Sequence, residues 1–211
     1  MLFGLMIWYF GVHAIDLIAI LVEEEIEEGT LEQVYMSKTK FITVLFFRII
    51  AQIIFDSVKG FFVLIICIIA FKIPLSFITS IPAAQTIVVF FSVLFGLYGI
   101  GYMVAGFSMV YKRATSIAAA FSNILLFFSG ITISIEDLPG WSQNIAKLFP
   151  THYGISVLRK NILENLSFGE MIKSNDFLSI IIIGVLWTIL GVSVFKFCEY
   201  KVRKNSSFVQ Y

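Results

Sequence analysis

The chain has 211 residues, of which 59% are hydrophobic, 16% aromatic and only 14% charged, and its mean hydropathy is +0.94. Soluble domains carry about 25% charged residues, so this composition excludes an ordinary soluble domain and predicts a multi-span helical membrane protein. A net charge of +1 gives no basic patch for nucleic acid, so no nucleic-acid partner is expected. Cys67 and Cys198 lie in separate apolar runs and suggest neither a disulfide framework nor a metal site.

Five apolar segments are long enough to cross the roughly 30 Å hydrocarbon layer, which takes about 20 helical residues. They are residues 1–22, 47–71, 83–110, 114–133 and 176–197. Only helices are expected, because a spanning backbone in lipid must satisfy its own hydrogen bonds. The sequence therefore predicts an all-α, polytopic membrane protein with one domain over residues 1–211 and about five transmembrane helices.

Basic residues are unevenly divided between the two sides of these spans. Nine lie on one side: Lys38, Lys40, Arg48, Lys112, Arg113, Lys196, Lys201, Arg203 and Lys204. Five lie on the other: Lys72, Lys147, Arg159, Lys160 and Lys173. The positive-inside rule assigns the richer side to the cytoplasm. The N-terminus is then expected outside, the C-terminus inside, and residues 23–40 in the cytoplasm.

The hydrophilic segment 23–40 carries five glutamates before Gly29. Gly29 is expected to end the helix that bears them, and Thr30 with Gln33 matches the capping box of a second short helix, Leu31 to Met36. One interpretation is a solvated acidic collar on a helix that packs on the protein itself. The other is a docking surface for a basic partner, which five carboxylates beside a usually anionic leaflet would favour.

Asp56 and Lys59 lie three residues apart in the second apolar run, where each can neutralise the other on one helical face. Charges inside a span are costly and point to function by default. The run from Phe41 to Phe71 would be about 46 Å long as a helix, so the pair can equally be structural and lie near the interface.

Small residues recur in the third and fourth apolar runs. They are Gly96, Gly99, Gly101, Ala105, Gly106, Ala114, Ala118 and Ser122. Small residues let helix backbones approach closely in lipid, so close helix packing is predicted, with a hinge or the lining of a transport path as the alternative.

The segment Ser134 to Asn175 is too apolar for a free loop. Pro139 is expected to open a short helix that ends at Pro150, and Thr151 to cap a second one. Two short re-entrant helices at the outer leaflet, dipping in and returning, fit this pattern.

Several short motifs occur in order along the chain. They are Glu28-Gly29-Thr30-Leu31-Glu32, Tyr111-Lys112-Arg113-Ala114, Ser129-Gly130, Leu138-Pro139 with Trp141, Phe149-Pro150-Thr151 and Leu158-Arg159. In these motifs, over nearly its whole length, the chain resembles the permease subunits of type 2 ABC (ATP-binding-cassette) exporters. The resemblance implies a six-span fold in which the first run here is the second span, so the usual amphipathic helix and first span are expected to be missing. In the family, Arg is often mixed among the acidic residues that precede the Gly29-Thr30-Leu31-Glu32 motif, whereas in this chain the charged residues directly before it are all Glu.

The resemblance also implies two sites. A coupling helix that receives motion from a separate ATPase is assigned to Glu25, Glu28, Gly29, Thr30, Leu31, Glu32 and Tyr35. A lid at the exit of the transport path is assigned to Pro139, Trp141, Pro150 and Arg159.

No G-x-x-x-x-G-K-[ST] phosphate loop occurs in the sequence. The chain is therefore expected to hold no catalytic residue, cofactor or metal, and ATP is expected to act through a partner. The expected function is the permease subunit of an ATP-driven exporter of an amphipathic or polymeric substrate, in a bacterial or archaeal plasma membrane. The expected partners are a cytoplasmic ABC ATPase subunit, a second permease copy or paralogue, and the lipid bilayer. The alternatives are a passive channel or ion-coupled transporter using Asp56 and Lys59, and a truncated, non-transporting membrane subunit.

Overall fold

The computed structural model describes residues 2–29, 41–70, 83–111, 114–128, 139–164 and 166–204. Within these ranges there are eight helices and no strand. In chain order they are α1 (Leu2–Glu27), α2 (Phe41–Ala70), α3 (Ala83–Tyr111), α4 (Ala114–Phe128), α5 (Gly140–Ala146), α6 (Pro150–Glu164), α7 (Phe168–Lys173) and α8 (Asn175–Lys204). The predicted all-α architecture is confirmed for the described part of the chain.

Three helical stretches are long and apolar enough to cross a membrane: Phe41–Lys59, Ala84–Tyr111 and Asn175–Val202. Helix α4 contains a shorter apolar stretch, Thr115–Phe128. Helix α1 has 26 residues but includes Asp16 and a glutamate-rich end, and it is not among the three. The protein is thus a multi-span helical membrane protein, while the span over residues 1–22 and the total of five spans remain predictions.

Helix α3 lies at the centre, and α8 is its main neighbour. Glycines bring the two backbones together: a Cβ atom built on Gly99 would lie 2.5 Å from the backbone nitrogen of Thr188, and one on Gly106 would lie 2.9 Å from the Cα of Phe195. The two pairs advance together along both helices, so α3 and α8 run in the same direction. The close packing predicted from the small residues is present here, as expected for helices that associate in lipid.

Helix α1 packs on another face of α3. Gly11 contacts Leu97, and Gly101 contacts the backbone of Ala14, so these two helices also run in the same direction. Helix α4 runs the opposite way beside α1, because Leu125 lies next to Gly11 while Ser122 lies next to Asp16, five residues further along α1.

The segment after Pro139 contains three helices. Pro139 is the N-cap of α5, as predicted. Pro150, expected to end a helix, instead begins α6, which suits a residue with a fixed φ and no N–H to donate. Thr151 therefore lies inside the helix and does not cap it. Helix α7 was not predicted; it is held by a capping box between Ser167 and Glu170.

Candidate functional site

Gly29 terminates the glutamate-bearing part of α1, as predicted from the sequence. Gly29 has a φ of 69°, in the left-handed region that glycine adopts without steric cost, and its N–H donates to the carbonyl of Ile26 at 3.3 Å. Three carboxylates of this end, those of Glu24, Glu27 and Glu28, are exposed. The remaining predicted coupling residues, Thr30, Leu31, Glu32 and Tyr35, lie outside the described residues.

Glu25 differs from these neighbours because its side chain is buried. Its carboxylate lies 2.5 Å from the guanidinium of Arg48 in α2, with the Glu25 side chain 6% exposed and that of Arg48 43% exposed. The pair joins the end of α1 to the first turns of α2. The sequence placed Glu25 in the docking surface, but within this chain its carboxylate holds two helices together.

Lys59 lies on α2 with its amine 5.0 Å from the centroid of the Phe55 ring, a cation–π contact. The side chain of Asp56 lies outside the described residues. The predicted intramembrane pair of these two residues therefore stays a prediction.

Of the four residues assigned to the exit lid, Pro139 is the N-cap of α5, Trp141 lies on α5, and Pro150 and Arg159 lie on α6. Trp141 and Arg159 are exposed, whereas Pro150 is buried against Gly96 in α3. The structure thus separates these residues: Pro150 fixes the start of α6 on the central helix, and Trp141 and Arg159 face outward.

Two polar contacts, which the sequence did not reveal, attach this segment to α8. The carboxylate of Asp176 accepts hydrogen bonds from Ser156 at 2.8 Å and from Lys160 at 2.7 Å. Eleven residues further along α8, the indole N–H of Trp187 donates to the carbonyl of Leu148 at 2.7 Å. At 1.5 Å per residue the two contacts are about 16 Å apart, so α6 lies along the first half of α8.

Asp16 lies in the middle of α1; it is the one acidic residue of the first apolar run, and no role was predicted for it. Its Oδ1 accepts a hydrogen bond from the Ser122 hydroxyl of α4 at 3.2 Å. His13, one turn earlier, makes an edge contact with the ring of Tyr9 at 5.5 Å. An acidic residue inside an apolar run could have drawn attention to Asp16, but its partner is 106 positions away.

The described residues contain no group of three or more side chains that could hold a metal ion. The polar contacts at both ends of the bundle join helices and do not surround a substrate-sized reactive centre. Together with the long apolar helices, they define a helical, multi-pass membrane protein.

Comparison with known proteins specifies the family. A family model described as ABC-2 type transporter matches residues 1–163, which is most of the chain, so the protein belongs to the ABC-2 type transporter permeases. No curated protein and no solved structure matches the chain. Membership makes this chain a membrane transport subunit and not the ATP-hydrolysing one, and it supports an ATP-binding partner, with which the family normally works.

Proposed function

We propose that the chain is the membrane-spanning half of an ATP-driven exporter of the plasma membrane of a bacterium or archaeon. It pairs with a second permease copy or paralogue and with cytoplasmic ATPase subunits, and it moves an amphipathic or polymeric substrate outward. The chain works as one domain over residues 1–211, and ATP acts through the partner.

The observation that carries this proposal is that the glutamates of α1 differ in exposure and pairing. Glu24, Glu27 and Glu28 are exposed, while Glu25 is paired with Arg48. The exposed carboxylates are available to a basic surface on the ATPase. The pair links the two helices that flank residues 30–40, so movement of that segment by the ATPase would reach α1 and α2 together.

The outward faces of the helices support a second permease against α1 and α4. On α8 the outward face is apolar, with Ile182, Leu186 and Ile189 more than half exposed, as lipid contact requires. On α4 the exposed residues of the first turns are small or polar, Thr115, Ser116, Ala119, Ala120 and Asn123, and apolar residues, Ile124 and Phe127, are exposed only towards its end. Small and polar residues are typical of helix–helix interfaces in membranes, so we assign the second copy and the transport path to this face.

The position of α5 and α6 supports the re-entrant outer lid. The contact between Trp187 and Leu148 lies about 18 Å along α8 from Asn175, at 1.5 Å per residue, and Asn175 begins an apolar stretch long enough to span. If α8 crosses the membrane from that point, the corner between α5 and α6 reaches well into the bilayer and α6 returns to the outer surface.

Docking can be tested by co-purifying the permease with its ATPase subunit after co-expression. The triple variant Glu24→Lys, Glu27→Lys and Glu28→Lys should abolish co-purification without loss of membrane insertion. The matching triple variant to Gln, which removes the charges but keeps the side-chain size, should reduce it to an intermediate level. Undiminished co-purification of the Lys variant would overturn the electrostatic docking surface.

A further inference from the structure

Two acidic side chains of the described helix bundle are paired with an arginine or a lysine, whereas Asp16 is not. Glu25 is paired with Arg48 and Asp176 with Lys160. Within the described part of the chain, Asp16 receives one hydrogen bond, from the neutral hydroxyl of Ser122, and forms no ion pair with a lysine or arginine; His13, one turn earlier on α1, interacts with it electrostatically. A carboxylate at membrane depth without a cation is costly and marks a functional site by default.

The register of the helices places Asp16 far from either membrane surface. Gly101 of α3 lies against the backbone of Ala14 and Ile15, and it is ten residues before Tyr111, the end of the α3 spanning stretch. Asp16 is one to two residues further along the parallel α1, so it lies about eight α3 residues, or about 12 Å, before the level of Tyr111, within the roughly 30 Å hydrocarbon layer. Snorkelling to the headgroups, which is open to a long lysine or arginine, is not open to the short Asp side chain at this depth.

Asp16 is also accessible to a ligand. Its side chain is half-buried and belongs to the outward stripe of α1, together with the half-buried His13 and the exposed Tyr9 and Ile20. Ser122 orients one carboxylate oxygen at 3.2 Å, and no described residue donates to the other. One oxygen is therefore held in place while the other can receive a donor from outside the chain.

The residues around Asp16 indicate which kind of cation it can bind. A hard metal ion such as Ca²⁺ takes about six to eight oxygen ligands, and the described residues offer no cluster of three or more candidate metal ligands. One carboxylate on a stripe with the apolar Ile20 one turn later and the Tyr9 ring about 10 Å earlier suits a single positive charge on an organic body, because these side chains can cover its hydrocarbon.

From this arrangement we propose that Asp16, oriented by Ser122, binds the positively charged group of an amphipathic organic cation, such as an amine or a quaternary ammonium, as it passes along the α1 and α4 face. The inference rests on the proposed transport function and narrows its substrate class to amphipathic cations. The carboxylate then gains a full positive charge, which no lysine or arginine of the described residues supplies.

The test uses the full-length permease in lipid nanodiscs without the ATPase, and two probes of the same shape and opposite charge, tetraphenylphosphonium and tetraphenylborate. The wild-type protein should bind the cation more tightly than the anion. Asp16→Asn should weaken cation binding by about tenfold or more and leave anion binding unchanged, whereas Asp16→Glu should keep the preference for the cation.

A pair of hydroxyl variants provides a matched control. Ser122→Ala, which frees the carboxylate oxygen, should weaken cation binding several-fold. Ser92→Ala should not, because among the described residues the Ser92 hydroxyl donates to the Val88 carbonyl of its own helix, at 2.7 Å, and not to a neighbouring helix. If Asp16→Asn does not fold, the comparison of Ser122→Ala with Ser92→Ala still tests whether the oriented carboxylate binds the cation.

Equal binding of both probes by the wild-type protein, or unchanged cation binding by a folded Asp16→Asn variant, overturns the proposal. So does a change of oligomeric state in Asp16→Asn with cation binding intact, since Asp16 would then be a contact between permeases. Failure of the ATPase docking test with Asp16-dependent cation binding preserved would overturn the transport mechanism but leave this binding site standing.

Discussion

The carboxylate of Glu25 and the guanidinium of Arg48 are 2.5 Å apart, across a segment of the chain that the family resemblance assigns to ATPase coupling. Glu25 ends on the inner side of α1 because it lies three residues after Val22 and seven after Ile18, both fully buried. Residues spaced by three, four and seven share one helical face. The same periodicity puts Glu24, Glu27 and Glu28 on the exposed faces.

We expect Arg48→Met to destabilise the protein, because it leaves the buried Glu25 carboxylate without a cation. Breaking a buried pair costs about 3–5 kcal/mol, but the partial exposure of Arg48 reduces the expected loss to about 1–3 kcal/mol. The loss should appear as a lower thermal midpoint of the detergent-solubilised protein, followed by tryptophan fluorescence. Adding Glu25→Gln should restore part of the stability, since the two residues are coupled.

Glu24→Gln is the control, because it removes an exposed carboxylate one position away. It should leave the midpoint unchanged. Additive losses in the Glu25 and Arg48 double variant would contradict a coupled pair.

The sequence predicted the ends of helices better than the directions in which their side chains face. Gly29 and Pro139 act at helix ends as predicted, since both effects are set by local backbone geometry. Burial of Glu25 was not predicted, because the direction in which a helix faces depends on the neighbour that covers it. The short hydrophilic run was interpreted as one surface, although α1 turns about 100° between successive residues.

Long-range polar contacts could not be predicted from the sequence, for a related reason. Ser122 was predicted to be a packing residue, and it is buried, but its hydrogen bond to Asp16 depends on how α1 and α4 are brought together around α3. The contact between Trp187 and Leu148 likewise depends on the path of α5 and α6. In a single sequence with many apolar helices, several pairings satisfy the same hydropathy pattern.

The closest backbone approach, between α3 and α8, predicts opposite outcomes for two glycines on the same helix. A Cβ atom on Gly191 would overlap the carbonyl oxygen of Gly99, whereas one on Gly184 would lie 3.6 Å from Gly96, an ordinary contact distance. Gly191→Ala should therefore lower the free energy of unfolding by about 1–3 kcal/mol relative to Gly184→Ala.

Both variants gain the same helix propensity from the Gly to Ala change. The difference between their free energies of unfolding therefore reports the steric overlap at Gly191. Denaturation in mixed micelles, followed by circular dichroism, measures it. If Gly191→Ala is as stable as Gly184→Ala, the two helices do not approach as closely as described.

Glu170 makes the stability of α7 depend on pH. Hydrogen bonds from the backbone N–H of Ser167, and then from its hydroxyl, hold the pKa of the Glu170 carboxyl below its ordinary value of 4.5. Because the folded pKa is the lower one, the stabilisation is complete above pH 4.5 and is lost as the pH falls through the folded value. Hydrogen-exchange protection of the α7 amides should therefore decrease in acid.

Glu170→Gln keeps a hydrogen-bond acceptor but does not titrate in this range, so protection in this variant should not change with pH. An equal acid response in the variant and the wild-type protein would show that another group is responsible.

The lid proposal predicts that α5 moves relative to α8 during the transport cycle. Spin labels at Asn144 and Val185, both exposed, should report a different distance in the nucleotide-free and ATP-trapped states of the assembled transporter.

Trp187→Phe removes the hydrogen bond to the Leu148 carbonyl and should broaden the nucleotide-free distance distribution, because the corner before α6 then loses its polar attachment to α8. Trp8→Phe is the matched control: the Trp8 indole N–H is buried and has no acceptor among the described residues, so its removal frees no attachment and should leave the distribution narrow. One unchanged distance in both nucleotide states would make α5 and α6 a static anchor in the membrane and not a gate.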